Sequence, residues 1–306
     1  MLDDVRALEI RGANPTITAL EYDSRRVERG SCFFAVRGTA SDGHTFIPAM
    51  VARGVKAFIV EREVEVKEAG VGIVVVPSAI GALQRLAAYH RREFKGRVVA
   101  ITGSNGKTIV KEWASRSMPD TVRSFASPKS YNSQLGVALS LLMLDGEEEV
   151  AFIEAGISEP GEMERLEAMI RPDIVVVTSI GDAHSANFAS ERAKIEEKLL
   201  LARRARTIIY SSEYRSLASC IEELYGDREL IDSSLEEDVE DELELSDALS
   251  VDALHVSALM RRLGYGVDDA VFSAHVAMRL ELKEGVDDSM IIDDTYNSDI
   301  NSVAVA

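Results

Sequence analysis

Hydrophobic residues in this chain gather into short unbroken runs, and the length of each run decides what it forms. Ala57-Phe58-Ile59-Val60, Gly72-Ile73-Val74-Val75-Val76, Val98 to Ile101, Val150-Ala151-Phe152-Ile153 and Ile174-Val175-Val176-Val177 are short and rich in β-branched side chains. Runs of that length are strands, and runs without polar alternation are strands covered on both faces, as in a parallel sheet. Ser31 to Val36 predicts another strand. Ser78 to Phe94 instead spaces Leu83, Leu86, Ala87 and His90 along one face of a helix, and a helical pattern returns from Leu249 to Leu263. Ala277 to Leu282 alternates as a strand, and Met290 to Ile292 predicts one more. From Val98 onward strand and helix alternate, the pattern of a parallel sheet with helices on both faces. Residues 232 to 247 are crowded with acids and contain no base, which reads as a solvated segment.

At 306 residues the chain has room for about two domains. The fold class is α/β, with a small N-terminal α/β domain over 1–92, a central parallel-sheet domain over 93–295, and the start of a linker over 296–306. A hydrophobic fraction of 46% and a charged fraction of 28% are those of a globular protein. The net charge of −18 opposes non-specific binding to nucleic acid and to anionic membranes, so an anionic ligand must be held by local groups. Cys32 and Cys220 offer no metal-ligand spacing and no disulfide framework. The acidic start MLDDVRALEI is unlike a signal peptide, and no apolar run reaches membrane-spanning length; a cytoplasmic protein is expected.

The chemistry concentrates in RVVAITGSNGKTIVKEW, Arg97 to Trp113. A strand runs into Gly103-Ser104-Asn105-Gly106-Lys107-Thr108 and a helix follows at once, the order a phosphate cradle needs. The two glycines permit positive φ, the helix start adds its positive dipole end, Lys107 brings an ammonium and Thr108 a hydroxyl suited to Mg²⁺. The expected ligand is a nucleoside triphosphate. In a parallel sheet ligands lie beyond the carboxyl ends of the strands. Glu154, Thr178 to His184, and Asp293-Asp294 are therefore expected on the same rim, supplying a carboxylate and an imidazole for Mg²⁺. In the N-terminal domain, Tyr22 to Val27 and Arg37 to His44 combine hydroxyls and cations with flexible backbone. That composition suits a pyrophosphate or sugar and is equally that of a solvated turn.

The motifs DSRRVERGSCFFAVRG, DGHTFI, ITGSNGKT with KEW, SYNSQLGVALSLL, FIEAG, TSIGDAH, MRLE and DDTYNS occur in that order. Together they resemble the Mur ligases, ATP-dependent amide-bond ligases of peptidoglycan precursor synthesis. DDTYNS resembles the branch that joins D-alanyl-D-alanine to UDP-N-acetylmuramoyl-tripeptide, and YNSDINS the version fused to a C-terminal alanine racemase domain. The resemblance implies a small N-terminal UDP-binding domain, a P-loop-type ATPase domain and a Rossmann-like C-terminal domain, the last expected to be absent here. It implies ATP and Mg²⁺ as cofactors, with Gly103, Ser104, Asn105, Gly106, Lys107, Thr108 and Asn297 on ATP. Thr108, Glu154 and His184 would hold metal, and Lys198 would be a carbamylated lysine, with Lys194 as the other candidate. Ser24, Arg25, Gly38, Asp42, Gly43 and His44 would meet the UDP moiety and Asn132 the substrate. The chain departs from the family at Ala138, Ser179, the SAN after His184, and LSVDAL, where Asp252 replaces an asparagine near adenine. These departures imply weakened ATP binding and, without the last domain, poor or no ligation. A sister Mur or folylpolyglutamate-type ligase and a non-catalytic nucleotide-binding module are the alternatives.

Overall fold

The apolar runs pair with one another because an extended strand cannot satisfy its own backbone N–H and C=O groups. The computed structural model describes residues 6–38, 41–181, 185–236, 247–272, 281–284 and 289–293. The chain divides into two compact units, Met1–Arg92 and Glu93–Ala306.

The first unit holds a five-stranded sheet in the order β1-β5-β4-β3-β2, made by β1 (Glu9–Gly12), β2 (Ala19–Glu21), β3 (Ser31–Phe34), β4 (Ala57–Val60) and β5 (Gly72–Val75). β2 to β5 are parallel, and β1 runs antiparallel along the edge. Helices α1 (Ile47–Ala52) and α2 (Ala79–Glu93) belong to it. Phe33, Ile47, Met50, Phe58 and Val60 form its dry centre. α2 buries Ala79, Ala82, Leu83 and Ala87, while Leu86 and His90 are only half-buried. The buried row steps by four through 79, 83 and 87, which leaves 86 and 90 on its margin.

The second unit is built on six parallel strands, β6 (Arg97–Thr102), β7 (Ser124–Ala126), β8 (Val150–Glu154), β9 (Ile174–Val177), β10 (Thr207–Tyr210) and β11 (Glu229–Asp232), in the order β11-β10-β9-β6-β8-β7. Its helices are α3 (Lys107–Arg116), α4 (Gln134–Leu142), α5 (Glu162–Ile170), α6 (Glu191–Leu199), α7 (Arg215–Tyr225) and α8 (Asp247–Leu263). Trp113 of α3 meets Phe272 edge to face, ring centroids 5.1 Å apart, over a core that includes Ile101, Phe152, Val176 and Leu259. From β6 the chain leaves toward β7, and from β9 it leaves toward β10. The crevice between neighbouring β6 and β9 is thus a topological switch point, where an open α/β sheet accepts ligands.

Two expectations are corrected. β13 (Met290–Asp293) pairs antiparallel with β12 (Glu281–Glu284) in a two-stranded sheet of their own. Asp293 therefore does not end a strand of the parallel sheet, and Asp294 lies outside the described residues; a three-residue apolar run does not distinguish a central strand from one arm of an antiparallel pair. The acid-rich segment is folded at its start. The Asp232 carboxylate accepts from the backbone N–H of Ser212 (3.0 Å) and Ser234 (3.1 Å) and turns Ser233–Leu235 into a 3₁₀ helix.

Candidate active site

The glycine loop leaves β6 at Thr102 and enters α3 at Lys107. Gly103 has φ +148° and Gly106 φ +81°. A Cβ on Gly103 would overlap the Thr178 hydroxyl, and one on Gly106 the Asp252 carboxylate, so backbone angle and close approach both demand glycine here. The loop after β9 pins it in place. Ser104 N–H donates to Ser179 O at 2.6 Å and the Thr178 hydroxyl donates to Asn105 O at 2.5 Å. Lys107 bends back over the loop, its Nζ 3.0 Å from Gly103 O and 2.7 Å from Ser104 O.

Lys198 reaches the same carbonyl from α6, with Nζ donating to Gly103 O at 3.0 Å. It is 3% exposed. Burial first, then the charges of Lys107 and Lys194, push its ammonium well below the usual lysine range. Lys194 is buried too, but it donates to Gly181 O (2.5 Å) and the Ser185 hydroxyl (3.1 Å) and so tethers the loop after β9. Of the two candidate lysines, Lys198 is the one on the glycine loop.

A cluster of oxygens stands beside the loop. Glu154, at the carboxyl end of β8, is 1% exposed. Its Oε2 accepts from the Thr108 hydroxyl at 2.9 Å and its Oε1 from Asn132 Nδ2 at 2.7 Å. Ser130 Oγ lies 3.2 Å from Thr108 Oγ1, and since the Thr108 proton serves Glu154, Ser130 is the donor in that pair. A buried carboxylate flanked by two hydroxyls is a hard, oxygen-only donor set that fits Mg²⁺. Among the described residues there is no group of three or more His, Cys, Asp or Glu side chains able to hold a metal. A cavity of about 250 Å³ opens here, lined by Gly103, Ser104, Lys107, Asn132, Ser158 and Lys198. His184 and Asn297 lie outside the described residues. Ser130 and Asp252's contact with Gly106 escaped the reading of the sequence, because each partner pair is far apart along the chain.

In the first unit the Asp23–Arg25 turn is held by local bonds, while Ser24, Asp42 and His44 also bond to residues 29, 20 and 17 positions away. The Asp23 carboxylate accepts from Arg25 N–H at 3.0 Å and from its guanidinium at 2.9 and 2.6 Å, which holds that carboxyl down to about 2. The Arg25 side chain itself is 86% exposed. Ser24 accepts from Arg53 through its carbonyl. Gly38 N–H donates to Ser41 O at 2.9 Å, and Gly43 N–H donates to Val36 O at 2.9 Å. Asp42 accepts from His44 N–H (3.0 Å), from His44 Nδ1 (2.6 Å) and from Arg62 (2.8 Å). His44 Nε2 accepts from Glu61 N–H at 2.9 Å, which assigns the proton to Nδ1. With both nitrogens used and the side chain 2% exposed, His44 shapes the loop from within.

Comparison with known proteins decides the family. The Mur ligase middle domain matches residues 101–253, and the Mur ligase family catalytic domain matches residues 16–91. The chain belongs to the Mur ligase family. A Mur ligase of Bacillus subtilis (strain 168), its UDP-N-acetylmuramoyl-tripeptide–D-alanyl-D-alanine ligase, is 31% identical over 192 residues, 61% of this chain and 42% of that protein. This Mur ligase chain thus spans less than half the length of that relative. The crystal structure of MurF from Acinetobacter baumannii superposes with a TM-score of 0.84 at 25% identity, over 94% of this chain and 70% of that one. MurF from Thermotoga maritima, solved in complex with ADP, gives 0.79 at 25% identity over 94% and 73%. No described helix of this Mur ligase is long and apolar enough to cross a membrane.

Proposed function

We propose that this chain carries the nucleotide- and substrate-binding parts of an ATP-dependent ligase that joins D-alanyl-D-alanine to UDP-N-acetylmuramoyl-tripeptide. The observation that carries this reading is the meeting of Lys107, Thr108, Glu154 and Lys198 at the glycine loop. A carboxylate resists attack by an amine, so the terminal phosphoryl group of ATP is first transferred to the tripeptide carboxylate, releasing ADP. The dipeptide amine adds to the acyl phosphate, loses a proton, and the tetrahedral intermediate collapses to amide and inorganic phosphate.

Lys107 would hold the β- and γ-phosphates, and the Ser104 to Thr108 loop would cradle them with backbone N–H groups. Thr108, Ser130 and Glu154 would hold Mg²⁺, with His184 joining Glu154 in the pairing the family resemblance implies. A Mg²⁺ held by these residues would supply charge neutralisation for the triphosphate. Asn132 fixes the Glu154 carboxylate. Lys198, whose neutral amine is favoured by burial, is the lysine for carbamylation, and Lys107 and Lys194 would offset the carbamate charge. Ser24, Arg25 and the Gly38–His44 loop would take the UDP moiety, and Asn297 the nucleotide.

Calorimetry with ATP and Mg²⁺, and separately with UDP-N-acetylmuramoyl-tripeptide, tests the reading alongside phosphate release in the presence of both and D-alanyl-D-alanine. Binding of both ligands is expected. Absence of heat from the nucleotide, with or without heat from the UDP ligand, would overturn it. The Asp252 carboxylate facing Gly106 favours one second reading, a nucleotide-binding module without turnover. Binding of nucleotide alone, with no heat from the UDP ligand, selects that module.

A further inference from the structure

Lys111 is fully buried, one turn beyond Lys107 on α3. A lysine ammonium inside a protein is costly unless its protons are used. Here its Nζ donates to Ser127 O at 2.7 Å and to Lys129 O, and pairs with Glu112 Oε1 at 3.0 Å. Both carbonyls belong to the segment between β7 and α4. That segment contains Lys129 at φ +50°, a left-handed conformation that a non-glycine residue keeps only when its surroundings impose it. The next residue is Ser130, whose hydroxyl donates to Thr108, and two further on is Asn132, which holds Glu154. Ser127 Oγ accepts from Glu154 N–H at 3.2 Å.

We infer that Lys111 is a positioning residue for the cation site: by gripping two carbonyls it folds the Ser127–Asn132 segment so that Ser130 and Asn132 face Thr108 and Glu154. This rests on the functional reading above and deepens it. Lys107 and Lys111 then divide the helix between them, Lys107 bent over the glycine loop and Lys111 acting on the protein that shapes the metal's ligands.

The test is nucleotide calorimetry on the whole chain, with Mg²⁺ varied and with the metal removed by chelator, for the unaltered protein, Lys111→Met, Ser130→Ala and the double variant. Lys111→Met is expected to raise the Mg²⁺ concentration at half-effect about tenfold or more, the range found when groups that orient metal ligands are removed. Its metal-free nucleotide affinity should stay within about twofold, because the glycine loop is untouched. Ser130→Ala should shift the Mg²⁺ dependence in the same direction, and the double variant should lose little beyond Lys111→Met because both act through one segment. An unchanged Mg²⁺ midpoint in folded Lys111→Met, or equal losses with and without metal, would overturn the inference. If Lys111→Met does not fold, Ser130→Ala decides: a shifted midpoint supports it and an unchanged one overturns it. Failure of the unaltered chain to bind nucleotide at all would overturn the functional reading and this inference together, a result distinct from either.

Discussion

The glycine-loop rim of the second unit and the Asp23–Arg25 turn of the first unit hold their candidate residues by opposite means. At the rim, Thr108, Glu154 and Lys198 are all buried and bonded to partners distant in sequence. In the first unit Asp23 and Arg25 bond each other across two positions, and Arg25 stays in solvent. Buried groups held by remote partners are fixed in advance, which suits phosphoryl transfer, where positioning and electrostatics supply most of the rate. Exposed groups held locally keep a loop in shape while leaving much of its cation in solvent. If this contrast is right, acid and substitution should strike the two regions differently.

Acid gives the largest effect. His255 on α8 is fully buried; its Nδ1 bonds the Ser233 hydroxyl at 2.9 Å while Nε2 has no partner, and burial pushes its imidazole down to about 4. In the unfolded chain the same imidazole protonates near 6.5. Between those values the unfolded state binds the extra proton, so stability is full above about 6.5 and falls as pH drops toward 4, by about 3 kcal/mol. Denaturant titrations followed by Trp113, the chain's one tryptophan and a residue of the second unit, should show that loss. His255→Gln, which keeps a donor for Ser233, should remove most of it. A pH dependence that His255→Gln leaves unaltered would mean that the imidazole takes up its proton at the same pH folded and unfolded.

Substitution at the rim follows. Lys107→Ala removes a half-buried ammonium that would meet phosphate oxygens. Charged hydrogen bonds of that kind contribute about 1.5–3 kcal/mol, so ATP affinity should fall about 100-fold. Calorimetry reads it directly, and a loss of less than about threefold would remove Lys107 from the phosphate site.

Much of this rim is legible in the chain itself. Val98 to Ile101, Val150 to Ile153 and Ile174 to Val177 announce buried parallel strands because nothing polar interrupts them, and the residues that follow them land where the sheet topology requires. What is illegible depends on contacts without a sequence signature. Lys111 looks like a surface lysine on a helix, and Lys198 stands out only through the family resemblance, since their acceptors are backbone carbonyls far away along the chain. Ser130 looks like a turn serine. β7 and β11, at the two edges of the parallel sheet, and β1 and β2, at the edges of the other, are short and only partly buried, so their patterns fade. Met290 to Ile292 misleads for the converse reason, an apolar run whose partner is a strand outside the parallel sheet.

Arg25→Ala should bring a smaller and more selective change. The guanidinium is solvent-exposed and bonded to Asp23 alone among the contacts described, so its removal should leave the melting temperature of the chain unmoved. Binding of the UDP ligand should weaken about tenfold, the loss of one charge-assisted contact to a pyrophosphate. A fall in thermal stability without a fall in affinity would assign Arg25 to the fold and take it out of the substrate loop.

The smallest expected effect is an absence of change. The Arg25 side chain and backbone N–H hold the Asp23 carboxyl down to about 2, far below its ordinary value. A depressed carboxylate keeps its charged partner at every pH above its folded value and loses it only as pH falls through about 2. The pyrophosphate of a UDP-sugar is a diester and gains no proton between neutrality and pH 4. Affinity for the UDP ligand should therefore stay level from pH 7 to about 4.5, across the window in which the second unit is losing stability through His255. Titrations of the UDP ligand at several pH values, run under conditions where both units remain folded, read the two behaviours side by side. A matching decline in UDP affinity over that range would show that a group titrating near neutrality governs UDP binding, and the division between buried rim and locally held turn would fail at its exposed end.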